Sequence, residues 1–258
     1  MLMEQLLNKH LILTLLFSYF LVFLVILFDR KFSVGMWREL LTSSLLSLVQ
    51  LIAVAFVILY LLKLNVEALN FAVVLLFYFN ASLIAARRFT LKAYPKRRVF
   101  LIVFATISLI TTAVLTLLYL AGLLTLKPNS LIPLAGIVTA AGMRSLSLAF
   151  KYFKSKVEAL SDVLLGMFAL GASDVEVFKF LFRSLIDDIT VPVRDMFRSA
   201  GIVHIPGVMV GLLVAGIFPL KAALFQFAIL STMVFQFTFV PAVALFSLIY
   251  TSGLKLEA

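Results

Sequence analysis

Cysteine is absent from all 258 residues. Disulfides, iron–sulfur clusters and thiolate metal sites are therefore excluded, whereas metal held by oxygen, nitrogen or thioether donors is not. Acidic residues are scarce: 12 Asp and Glu stand against 22 Lys and Arg, and they keep to loops and to the ends of apolar runs. Proton- and sodium-coupled transporters carry acidic groups in mid-membrane, so this scarcity argues against gradient coupling. No G-x-x-x-x-G-K-[ST] loop is present, and ATP is not expected on this chain through a P-loop. H-E-x-x-H and G-x-S-x-G are missing too, and the two histidines, His10 and His204, are not spaced as a metal pair. With no catalytic constellation, no enzyme activity and no resident cofactor are expected.

What the chain has in abundance is apolar sequence. Hydrophobic residues make up 64% and charged residues only 13%, and the mean hydropathy is +1.17. Soluble domains carry about 25% charged residues, so most of this chain belongs in a bilayer. No polar stretch is long enough for a separate soluble domain, and residues 1–258 read as one membrane domain. The net charge of +10 is read as basic loops meeting anionic lipid headgroups. Nucleic acid is not expected as a partner, because no basic patch interleaves with aromatics.

Seven runs are long and apolar enough to cross a membrane: about 11–28, 40–62, 68–86, 99–122, 131–150, 196–217 and 222–247. The first is followed by Asp29-Arg30-Lys31 rather than a cleavage site and reads as a retained helix. With the N-terminus outside, 17 Lys and Arg fall on the inner side and 4 on the outer. That asymmetry predicts an outer N-terminus, a cytoplasmic C-terminus and a cytoplasmic region at about 151–195. Pro206 and Pro241 are expected to kink or break their spans, and Gly207 and Gly211 form a GxxxG suited to close helix contact.

Residues 170–192, LGASDVEVFKFLFRSLIDDITVP, depart from this pattern. Ser173 and Glu176 form a capping box, so a helix is expected from Asp174. Glu176, Lys179, Arg183 and Asp187 share one stripe, opposed by Val175, Phe178, Leu181, Phe182, Leu185 and Ile189. Phe180 lies beside the polar stripe, where an aromatic needs a cover. A bilayer-resting helix is the plain alternative. However, the stripe is of mixed sign, and a second short helical run from Glu158 ends just before the Gly171 turn; a docking segment for a cytoplasmic partner fits better.

Leu170-Gly171-Ala172-Ser173, a helix bearing Arg183, and then Pro192 resemble the cytoplasmic coupling loop of ABC transporter permeases. More specifically, the chain resembles the FetB-type permeases, which include bacterial iron exporters and plant aluminium-tolerance proteins. Phe79-Asn80-Ala81 with Ala86-Arg87-Arg88, Ile132-Pro133-Leu134-Ala135-Gly136 with Gly142-Met143, and Asp195 with Gly201 agree in order. So do Ile205-Pro206-Gly207-Val208-Met209-Val210-Gly211, Ala215-Gly216 and Pro219-Leu220-Lys221-Ala222. Three positions depart from the pattern: Ala141 in place of an Asn, Val208 in place of a second Met, and His204 in place of a small hydroxyl residue.

The resemblance implies an all-α polytopic permease, a homodimer in the cell's inner membrane, exporting a metal ion such as iron. ATP and Mg would sit on a separate ATPase subunit. Docking residues would be Glu158, Asp162, Leu170, Gly171, Ala172, Ser173, Glu176, Phe180 and Arg183. Along the path, Asn80, Met143, Arg144, Asp195, His204 and Met209 are the candidates, with Gln226 and Gln236 as polar residues in spans and Arg144–Asp195 as a candidate ion pair. His204 and Met209 would hold a soft or borderline metal only if the helix breaks near Pro206. A secondary transporter or channel without an ATPase is the rival reading.

Overall fold

The computed structural model of the chain describes residues 9–64, 66–91 and 94–254. Lys92 and Lys255, two of the basic residues behind the predicted orientation, lie outside the described residues. Among the described residues every element is a helix: α1 (Lys9–Phe32), α2 (Trp37–Leu64), α3 (Glu67–Arg87), α4 (Lys96–Leu120), α5 (Pro128–Ala159), α6 (Ser161–Ala169), α7 (Asp174–Ser199), α8 (Gly207–Val214) and α9 (Pro219–Ser252). Six of them, α1 to α5 and α9, are long and apolar enough to cross a membrane. The chain forms two compact units, Met1–Leu64 and Asn65–Ala258.

The first unit is the pair α1 and α2. The turn between them is closed by Asp29, which is 1% exposed. Its carboxylate accepts from the Met36 N–H at 2.9 Å and the Trp37 N–H at 3.0 Å. It thus satisfies donors that α2 leaves open at its positive end. Arg30 and Arg38 lie against the Trp37 ring, at 4.5 and 5.1 Å from its centroid. Asp29→Ala should loosen this turn by about 1–2 kcal/mol. Since the chain has no cysteine, a single Cys placed at Val34 reports it: thiol labelling in detergent should speed up in the Asp29→Ala background.

The second unit is a helix bundle in which α5 and α9 pack against each other, with α3 and α4 on one side and α7 on the other. Proline opens several of these helices: α5 and α9 begin with Pro128 and Pro219, and Pro95 and Pro206 cap α4 and α8. At such positions the missing N–H is not needed. Pro241 does not break α9, which runs through it; Pro192 likewise sits inside α7.

The order along the bundle is fixed by side-chain contacts. Arg98 Nη1 donates to Ser252 Oγ at 3.1 Å, and the Tyr94 hydroxyl to the Gly253 carbonyl at 2.8 Å. The start of α4 therefore meets the end of α9, and Lys96 and Arg97 make this the basic end. Further along, Gln236 Nε2 reaches Thr111 Oγ1 at 3.4 Å. From Arg98 to Thr111 is about 20 Å at the usual helical rise, so Gln236 marks the middle depth of the bundle.

The run 196–217, predicted as a span, is not one helix. Its first residues end α7 at Ser199, and a tight loop follows in which the Gly201 N–H donates to the His204 carbonyl at 2.8 Å. Pro206 then caps α8, whose eight residues rise only about 12 Å. An apolar run interrupted by Gly201, Pro206 and Gly216 gives a continuous hydropathy signal but not a continuous hydrogen-bond ladder. The helix that lies beside α9 is instead α7. Phe178 meets Phe246 at 5.3 Å between ring centroids, and Phe197 meets Phe227 at 5.6 Å. Hence α7 runs antiparallel to α9 for about 28 Å, close to the thickness of a hydrocarbon core.

Candidate functional site

Three places in the second unit carry polar chemistry. The first is the elbow between α6 and α7, at the basic end. The Gly171 N–H donates to the Phe168 carbonyl and the Ala172 N–H to the Met167 carbonyl, both at 2.9 Å, and Gly171 has φ +89°. Only a residue without Cβ adopts that backbone readily. Leu170, one residue before, is 91% exposed. The capping box is complete: Glu176 accepts from the Ser173 N–H at 2.7 Å, and Ser173 Oγ accepts from the Glu176 N–H at 3.4 Å.

The hydrogen bonds from the Ser173 backbone and hydroxyl hold the Glu176 carboxyl below its ordinary range. A depressed carboxyl favours the folded elbow above the unfolded value and loses that contribution as pH falls through the folded one. Glu158, Asp162 and Arg183 are exposed and Ala172 is half-buried. Phe180 is exposed, whereas its neighbour Phe178 stacks on Phe182 and meets Phe246.

The second place is a buried polar layer at middle depth. Gln236, Thr111 and Ser145 are inaccessible to solvent. Ser145 Oγ donates to the Gly142 carbonyl at 2.8 Å and lies 3.4 Å from the Gln236 carbonyl. Gln236 Oε1 has no hydrogen-bond partner, and a Cβ on Gly142 would come within 3.0 Å of it. Sequence reasoning named Gln236 but missed this layer, because Thr111 and Ser145 are ordinary helix residues until α4, α5 and α9 are brought together.

The third is a cavity of about 730 Å³ walled by α3, α5, α7 and α9, into which Arg87, Arg88, Arg144, Lys151 and Lys154 open together with Met143 and Ser147. Lys154 pairs with Glu158 at 3.7 Å.

The proposed path residues are not brought to one site. Met143 and Arg144 share the basic cavity. Asn80 is exposed and donates to the Leu76 carbonyl of its own helix at 2.9 Å. Asp195 is 3.9 Å from Arg198, so the expected Arg144–Asp195 pair is not formed. Nor does Asp187 pair with Arg183: the Arg194 guanidinium folds back onto it at 2.8 Å. His204 Nδ1 lies 3.1 Å from Ser199 Oγ in the loop before α8. Met209 is held by its backbone, whose N–H donates to Gln226 Oε1 at 3.1 Å. Gln226 thus caps the start of α8, roughly 15 Å along α9 from the Gln236 layer and away from the basic end. Among the described residues, no three His, Cys, Asp or Glu side chains come together as a metal-binding group.

Comparison with known proteins adds the following. The chain is 29% identical to the protein named "Probable iron export permease protein FetB" of Escherichia coli (strain K12), over 85% of each chain. It is 21% identical to the UPF0014 membrane protein YjkA of Bacillus subtilis (strain 168), over 85% of this chain and 86% of that one. Protein ALUMINUM SENSITIVE 3 of Arabidopsis thaliana is 26% identical over 48% of this chain and 45% of its own. No solved structure matches. Residues 12–253 match the sequence profile of UPF0014, described as an uncharacterised protein family. An all-helical chain with several apolar helices of spanning length, matched by that profile across both of its compact units, belongs to the UPF0014 family.

Proposed function

We propose that the chain is the membrane-spanning permease subunit of an ABC transporter, driven by a separate ATPase subunit that binds ATP and Mg. Two copies would form the transport core in the cell membrane, with the basic end, the elbow and the C-terminus facing the cytoplasm and the N-terminus outside. Export of a metal ion such as iron is supported by the name of the Escherichia coli relative.

The observation that carries this reading is the elbow. A glycine in the left-handed region and a complete capping box fix its shape, while Leu170 and Phe180 stay uncovered beside it. A bilayer anchor needs no such defined turn. In this reading the docking surface narrows to Glu158–Phe180, because the rest of α7 lies along α9. ATP-driven closure of the ATPase pair would move α6 and the start of α7, and α7 would pass that movement to α9.

The test uses Gly171→Val and Phe180→Asp. A β-branched residue is strained at φ +89°, and a carboxylate would be driven into the partner's pocket in place of an aromatic anchor. Both variants should reach the membrane folded, yet lose co-purification with the ATPase or lose transport. Normal co-purification and transport in both would place the docking surface elsewhere.

A further inference from the structure

The basic cavity lies outside the proposed docking segment, and its charge bears on the cargo. Arg144 is next to Ser145, whose hydroxyl is in the Gln236 layer. It therefore stands about 20 Å from the Arg98–Ser252 contact at the basic end. Snorkelling spans only the length of a side chain, so Arg144 does not reach the basic end from there. Among the described residues it has no ion-pair partner, and it is exposed. Buried in hydrocarbon, such a group is costly; lining a water-filled cavity, it is tolerated. Lys151 and Lys154 follow on the same helix toward the basic end, and Arg87 and Arg88 close the mouth from the end of α3. Among the described residues, no carboxylate lines the cavity. Outside it, Glu158 offsets the charge of Lys154 at 3.7 Å, and Asp188 lies 4.0 Å from Lys156.

We infer that this cavity is the entry site for a multivalent oxyanion bearing phosphate or carboxylate groups, and that the cargo enters in that form. Arg87, Arg144 and Lys151 have no ion-pair partner among the described residues, and together in one cavity they repel a bare metal ion and attract polyanions. Arginine also offers paired N–H donors that match carboxylate and phosphate oxygens. A metal would then travel as an anionic complex. The inference rests on the permease reading for the word cargo, but the binding itself requires no ATPase.

Isothermal titration calorimetry on the purified full chain in a neutral detergent tests it, with pyrophosphate and citrate as probes at constant ionic strength. Saturable binding is expected in wild type, weakened about tenfold or more by Arg144→Gln and by Lys151→Gln. Circular dichroism confirms that each variant is folded, and Lys221→Gln, at the other end of the bundle, should bind as wild type. Absence of saturable binding, or equal affinity in all variants, overturns the proposal. So does binding of Fe²⁺ alone that is lost in the same two variants.

A lipid source is separated by repeating the work in phosphatidylcholine nanodiscs with and without phosphatidylglycerol. If only the anionic lipid distinguishes wild type from variants, the cavity seats a headgroup and the cargo claim falls. None of these results alters the outcome of the Gly171→Val and Phe180→Asp experiment.

Discussion

Leu185→Asp should abolish accumulation of the folded protein. Val177, Leu181, Leu185, Ile189 and Val193 form one stripe along α7, each no more than 1% exposed and part of the continuous core of the second unit. Leu185 is at its centre. A carboxylate there has no cation to meet, and placing an acidic residue at such a depth costs about 3 kcal/mol or more. Leu185→Ala keeps the site apolar and removes only packing, so it should fold with a lower thermal midpoint. Arg183→Ala, on the exposed face two residues away, should leave the midpoint near that of wild type. Membrane-fraction yield and thermal unfolding of the three variants separate a buried span-like α7 from a surface helix. Normal yield of Leu185→Asp would mean that this stripe is not packed against α5 and α9.

Gly142→Val should be nearly as damaging, for a steric reason. Gly142 lies where α5 and α9 cross. A Cβ there meets Gln236 Oε1 at 3.0 Å and the Val240 methyls at 3.5 and 3.8 Å. Valine adds two further carbons to that contact. Either α9 moves away, or Gln236 swings out of the layer and breaks its contact with Thr111. Overpacking of this kind costs about 1–3 kcal/mol, and here it also leaves a buried amide with fewer partners. Gly136, six residues earlier on the same helix, supplies the control. Its added Cβ would touch only the Phe77 ring, at an ordinary 3.5 Å, so Gly136→Ala should be neutral or slightly stabilising. Thermal midpoints in detergent decide it; equal effects at the two glycines would show that Gly142 is not a close-packing point.

The character of the protein was determined by its sequence alone. Hydropathy does not depend on the fold, so the six runs that became α1 to α5 and α9 were legible as apolar stretches of spanning length. The capping box at Ser173 and Glu176 and the turn at Gly171 were legible too, because both are set by residues no more than five positions apart. The same locality misled at 196–217: hydropathy adds residues without asking whether each N–H has a carbonyl to reach, and Gly201 and Pro206 interrupt that ladder. Only the tertiary structure decided that α7 lies antiparallel along α9, that Gln226 caps α8, and that His204 turns to Ser199. It also decided that Arg87, Arg144 and Lys151, which sequence reading treats as inner-side flanks or a candidate path residue, open into one cavity. Those relations join residues tens of positions apart, and which faces of α3, α5 and α7 meet is settled by packing among side chains that all look equally apolar in sequence.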